Sequence, residues 1–172
     1  FNQYFKYIGL PFEKILTKLL VKNNLADIHK TYQKESIKQL NKIKLYPGVQ
    51  KTLKNLRKKK IILGIVTSKD RYRTIKLINK FKMNIKIVVP PSNNLRGKPF
   101  PDQLIKAGKM AKIKSSYAIY VGDMLVDYKA AKNSGMNFVH ARYGYGKSKK
   151  FYRHSIKKFK NLLDFIDTWN IL

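Results

Sequence analysis

The apolar positions of this chain follow two rhythms. In the first quarter they recur at helical spacing: Phe12, Ile15, Leu16, Leu19 and Leu20 after Pro11, a residue suited to a first helical turn. Past a break at Asn23-Asn24, Ile28, Tyr32, Ile37 and Leu40 mark the buried side of a second helix over residues 25–43. Tyr46-Pro47-Gly48 reads as a turn, and beyond it the rhythm changes. Residues 49–59 form an amphipathic helix with Val49, Leu53 and Leu56 on one side. The apolar runs 61–66, 85–89, 117–121 and 137–141 have the length and β-rich composition of buried strands. Between them helices are predicted over 71–81 and 102–111, the second with Asp102 as N-cap, then from Asp127 to the stop at Gly135. A last helix is expected over 156–169. Strands alternating with helices specify βαβ units and a mostly parallel sheet. The expected architecture is a small all-helical unit, 1–45, on an α/β core, 46–172.

Composition narrows the classes. At 172 residues the chain can bury one sizeable core with a small appendage. No apolar run reaches the roughly eighteen residues of a membrane span, so no membrane partner is expected. There are no cysteines, which excludes disulfides and thiolate metal sites and agrees with the cytoplasmic location expected here. The formal charge of +29 draws polyanions non-specifically. Its bases are spread over clusters at 51–60, 69–86 and 147–160, where a dedicated nucleic-acid arm is more often one block. A solvated basic surface is expected. No recognition signature for specific nucleic acid accompanies it, so a basic nucleic-acid-binding module stands as the competing class. The sequence carries no sign of oligomeric state.

The chemistry concentrates where strands end. After run 117–121 come Gly122 and Asp123, with Asp127 four residues on, entering a helix. Only nine acids oppose 38 bases, so two carboxylates at a strand end are not there for solubility. Mg²⁺ takes oxygen ligands, usually one or two carboxylates plus substrate phosphate. Asp123 is placed to ligate directly; Asp127 reads either as support for a metal-bound water or as a cap of its own helix. Thr67, with Ser68, follows run 61–66 and offers a hydroxyl and a backbone N–H. Lys98 stands in a loop stiffened by Pro99. In a parallel sheet the strand ends of one sense lie on one edge, so these groups can converge. A hydroxyl, a cation and Mg²⁺ around one point suit the charge of a transferring phosphoryl group.

That order resembles the haloacid dehalogenase superfamily of phosphohydrolases. Thr67 in GIVTSK matches its second motif, Lys98 in RGKPFPD its third, and Gly122, Asp123 and Asp127 its GDxxxD fourth motif. NSGM, the ARYGYG loop and GLPFEKIL resemble the phosphoglycolate phosphatase-like branch, the last lying in what would be the helical cap. The resemblance implies a Rossmann-like parallel sheet flanked by helices. It also implies a Mg²⁺-dependent phosphatase of a small phosphorylated metabolite, with a phosphomutase as an alternative within the class. Thr67 and Ser68 would hold phosphoryl oxygens, Lys98 would neutralise them, and Asp123 and Asp127 would serve the metal.

The family's DxDGT motif, whose first aspartate is the nucleophile, does not occur in the 172 residues. In the family its strand lies between those ending at Thr67 and Asp123. The sequence is therefore expected to be N-terminally truncated and inactive by itself; the alternative is an inactive relative that closes the gap some other way. If the strand is absent, the two neighbouring strands should show unpaired edges toward each other.

Overall fold

The computed structural model describes residues 2–10, 12–146 and 152–169. Pro11, and the stretch 147–151 of the last basic cluster, lie outside the described residues.

The N-terminal quarter is helical: α1 (Asn2–Phe5), α2 (Phe12–Lys18) and α3 (Leu25–Lys38). The second predicted helix stops short, at Lys38, and one 3₁₀ turn over Gln39–Lys42 follows. Of the positions expected to be buried here, Ile15, Leu16 and Leu40 are, whereas Leu20 is 79% exposed and Ile37 37%. Leu20 has left the helix for a left-handed turn, φ 59°, which swings it out of the apolar stripe.

The remainder alternates. α4 (Val49–Lys58) buries Val49, Leu53 and Leu56 as the periodicity requires. Then come β1 (Gly64–Val66), α5 (Arg71–Lys80), β2 (Ile87–Val89), α6 (Asp102–Ala111), β3 (Ile119–Gly122), α7 (Leu125–Ser134), β4 (Asn137–Ala141), β5 (Ser155–Ile156) and α8 (Asn161–Thr168). Asp70 caps α5 by accepting from the Arg73 N–H at 2.9 Å. Asp102 is not the N-cap of α6: Pro101 holds that place, and the Asp102 carboxylate pairs with Arg96 at 2.9 Å. Gly135, φ 74°, ends α7 in the left-handed conformation. The predicted closing helix begins late. Ile156 is claimed instead by β5, where it pairs with Ala141 and joins Leu56, Val139 and Leu162 in the core.

The strands form two parallel sheets. β1 pairs with β2, Gly64 opposite Ile87, and β3, β4 and β5 form the second sheet in that order. Among the described residues no strand ladder joins β1 to β3. The halves are held together by side chains. Leu63 and Val121 pack on the cluster of Leu56, Val139, Ile156 and Leu162, while Val66 and Tyr120 pack on Leu104, Ala130 and Ala131. Alternate residues of β3 thus serve opposite faces, as the strand pleat dictates. The Tyr120 hydroxyl reaches the Val66 carbonyl at 3.5 Å, spanning the break.

The helical quarter is tied to the core through both ends of α5. Lys80 donates to the carbonyls of Leu40, Asn41 and Ile43 at 3.0, 2.8 and 3.1 Å. Arg73, 5% exposed, hydrogen-bonds Asp70 and the Ser36 hydroxyl and lies over the Tyr32 ring at 4.9 Å.

Candidate active site

Thr67 is the first residue past β1. Its N–H donates to the Val89 carbonyl at 3.2 Å, extending the β1–β2 ladder by one step, so the backbone donor that the sequence offered to a ligand is already spent. The hydroxyl accepts from the Lys69 N–H at 3.1 Å, which folds the chain over the strand end and leaves its own proton free to donate. The Ser68 hydroxyl, expected to hold phosphoryl oxygens, instead donates to the Gly9 carbonyl at 2.6 Å. Gln103, 1% exposed, donates from Nε2 to the carbonyls of Thr67 and Val89, both at 3.1 Å. It clamps the two strand ends. Nothing in the sequence separated it from the other polar residues of α6.

Lys98 sits in the loop between β2 and α6, yet its side chain is 9% exposed. The ammonium lies 2.6 Å from Asp127 Oδ1 and 3.2 Å from the Tyr120 hydroxyl. Burial opposes the charge, but Tyr120 and Asp127 outweigh it and hold Lys98 above the ordinary lysine range. Burial pushes the Tyr120 phenol up to about 12, against the pull of the Lys98 charge.

Asp127 stands in the first turn of α7. Oδ2 accepts from the Met124 N–H at 2.9 Å, closing the helix entrance, while Oδ1 takes Lys98 and a 3.2 Å contact from the Tyr120 hydroxyl. The capping reading holds for Oδ2, and Oδ1 is taken by Lys98 and Tyr120. Gly122 makes room for it. A Cβ there would lie 2.5 Å from Asp127 Cβ.

Asp123 is held differently. Oδ2 accepts from the backbone N–H groups of Tyr145 and Gly146 at 2.6 and 3.0 Å, and the glycines at 144 and 146 let that loop close against it. Among the described residues Oδ1 has no hydrogen-bond partner. Burial first, with Tyr46 and Asp123 nearby, raises the Tyr143 phenol beside this loop to about 12.

The two sides meet at Gly9, φ 99°. Its carbonyl takes the Ser68 hydroxyl, and a Cβ on it would touch Val126 at 3.0 Å and Met124 at 3.5 Å. Together with the Val66–Tyr120–Lys98–Asp127 chain of contacts, this joins the end of β1 to the end of β3. Thr67 and Asp123 thus follow the C-terminal ends of β1 and β3, the Lys98–Asp127 pair bridges the two half-sheets, and Gly9 of the helical quarter touches both sides of this rim. The sequence assigned no site role to Gly9, Tyr120 or Gln103, although Gly9 lies within GLPFEKIL and Tyr120 within run 117–121.

The donor set suits a hard cation in part. Asp123 Oδ1 is an unengaged carboxylate oxygen, the ligand Mg²⁺ prefers. The Asp127 oxygens are already engaged. Among the described residues no cluster of three or more His, Cys, Asp or Glu exists, so a metal here would draw its other ligands from water and phosphate.

A sequence profile of the haloacid dehalogenase-like hydrolase family matches residues 2–141. The phosphoglycolate phosphatase of Pseudomonas savastanoi pv. phaseolicola is 33% identical over 103 residues, which are 59% of this chain and 38% of that protein. The match thus spans well under half of the curated relative's length. Among solved structures, a haloacid dehalogenase-like family protein of Streptococcus pneumoniae superposes with a TM-score of 0.82 at 18% identity, over 95% of this chain and 80% of that one. CbbY of Rhodobacter sphaeroides, solved in complex with xylulose-1,5-bisphosphate, gives 0.80 at 16% identity over 94% and 78%. These likenesses bear out the parallel α/β fold flanked by helices.

Proposed function

The chain belongs to the haloacid dehalogenase-like hydrolase family, and on that premise we propose that it forms most of a Mg²⁺-dependent phosphatase acting on a small phosphorylated metabolite. One observation supports the reading: past the ends of β1 and β3 stand a hydroxyl with a proton to donate, a buried ammonium paired with Asp127, and an Asp123 oxygen without a hydrogen-bond partner among the described residues. Thr67 donates its free hydroxyl proton to a phosphoryl oxygen. Lys98, fixed by Asp127, supplies positive potential without being drawn out to solvent. Asp123 would hold Mg²⁺ through Oδ1, its orientation set by the Tyr145 and Gly146 amides, and Asp127 supports it through the Lys98 pair. The ion would neutralise phosphate charge when bound.

The nucleophilic carboxylate is not among the 172 residues. The break between β1 and β3 is where a strand bearing it fits, pairing its two edges with theirs. With a phosphoglycolate phosphatase among the similar proteins, phosphoglycolate and sugar phosphates are the substrates to try first. The test is phosphate release from an aryl phosphate, with and without Mg²⁺, by a polypeptide extended upstream through an aspartate-bearing strand. Turnover that needs Mg²⁺ and is lost in Asp123→Ala is expected. Full activity surviving that substitution would overturn the metal assignment.

A further inference from the structure

Away from the rim, between the C-terminal part of α7, β4 and α8, lies a groove of about 740 Å³, with neither Thr67, Lys98 nor Asp123 in its lining. Aromatic rings furnish it. His154, Phe165 and Trp169 form one trio, with ring centroids 4.7 to 5.4 Å apart and planes tilted by about 60°. Tyr128 and Phe138 line it as well, with centroids 5.5 Å apart and planes at 75°. Within both sets the rings meet tilted or edge-on, the edge of one against the face of another.

The polar part of the lining has one sign. Lys132 and Arg153 contribute exposed cations, and among the described residues no Asp or Glu lines the groove. Neither cation has an ion-pair partner among the described residues. Burial, with the Arg153 charge beside it, lowers the His154 pKa, so at neutral pH that ring is uncharged and serves as a stacking surface. Aromatic rings beside cations without an ion-pair partner among the described residues fit a ligand with a flat aromatic part and a negative group on it. A bare anion would leave the rings unused. An apolar molecule would leave Lys132 and Arg153 unused.

We infer that this groove binds a nucleotide unit, its base against the Trp169, Phe165 and His154 rings and its phosphate at Lys132 and Arg153. A unit of this chemistry comes either as a free mononucleotide or within single-stranded nucleic acid, and the chain's +29 charge favours approach of both. The site stands apart from the phosphatase reading and does not depend on it.

Trp169 is the only tryptophan in the chain, so its fluorescence reports on this groove alone. Titrations of the whole chain would compare adenosine monophosphate, a short oligothymidylate and inorganic phosphate. Saturable quenching by the mononucleotide or the oligonucleotide is expected, with none from phosphate. The Lys132→Met, Arg153→Met double variant should weaken it at least tenfold while its circular dichroism stays unchanged, since both side chains are exposed. Quenching by the mononucleotide assigns the site to free nucleotides; quenching by the oligonucleotide alone assigns it to single strands. Absence of quenching by both, or quenching indifferent to the double substitution, would overturn the inference.

Discussion

The Lys98 ammonium and the Asp127 carboxylate meet at 2.6 Å across the break between the two sheets, both almost wholly buried. Lys98 follows β2 and Asp127 follows β3, so this pair and the Tyr120 hydroxyl bridge two half-sheets that share no ladder. Breaking a buried pair from one side strands a charge, at a cost of about 3–5 kcal/mol. Lys98→Met and Asp127→Asn should each lower the urea midpoint strongly. The double variant should lose much less than the sum, because neither charge is then left alone. Strict additivity would show that the pair is not the tie between the halves.

Alkaline pH should weaken the fold through the same cluster. Lys98 and Tyr120 both hold their protons more tightly folded than unfolded, Tyr120 up to about 12 from 10.0. The stability they add is complete below the unfolded values and is lost as pH climbs through the folded ones. Urea midpoints should be flat from neutrality to about pH 10 and fall above it. Tyr120→Phe should shallow that fall, and absorbance titration should show one late-ionising phenol fewer.

Gly122→Ala should cost about 1–3 kcal/mol or more, since the new methyl runs into the Asp127 side chain that caps α7. Thermal melts of this variant and of Gly135→Ala would separate the two kinds of glycine. At Gly135 the nearest neighbour is 3.7 Å away and the left-handed φ alone is at stake.

Arg73 joins the helical quarter to the core through Ser36 and Tyr32. Arg73→Met should destabilise by about 1–2 kcal/mol. Hydrogen exchange should quicken in α3 while β4 amides keep their protection. Equal quickening in both would mean that the two parts open as one unit.

Much of this was legible in the chain. Period and turn residues located α4, α5, α6 and β4 almost to the residue, because amphipathic helices and buried strands between Gly, Pro and Asn leave clear marks. The edges blurred where tertiary contacts decide. Ile156 has an apolar side chain that suits either helix or strand, and pairing with Ala141 settled it. Thr67, Lys98, Asp123 and Asp127 were singled out by their order along the chain. Their partners were not, because Gln103 and Tyr120 lie in ordinary helical and strand settings, and what singles them out is the distance to residues far away in sequence.

The rim itself is tested most directly by calorimetry of Mg²⁺ binding to the chain, alone and with inorganic phosphate present. Asp123→Asn keeps an oxygen for the Tyr145 and Gly146 amides, so the fold should survive while the carboxylate charge is gone. The account predicts Mg²⁺ binding that phosphate strengthens, weakened at least tenfold by Asp123→Asn with thermal stability unchanged. Equal Mg²⁺ affinity in the parent chain and the variant, with or without phosphate, would contradict it.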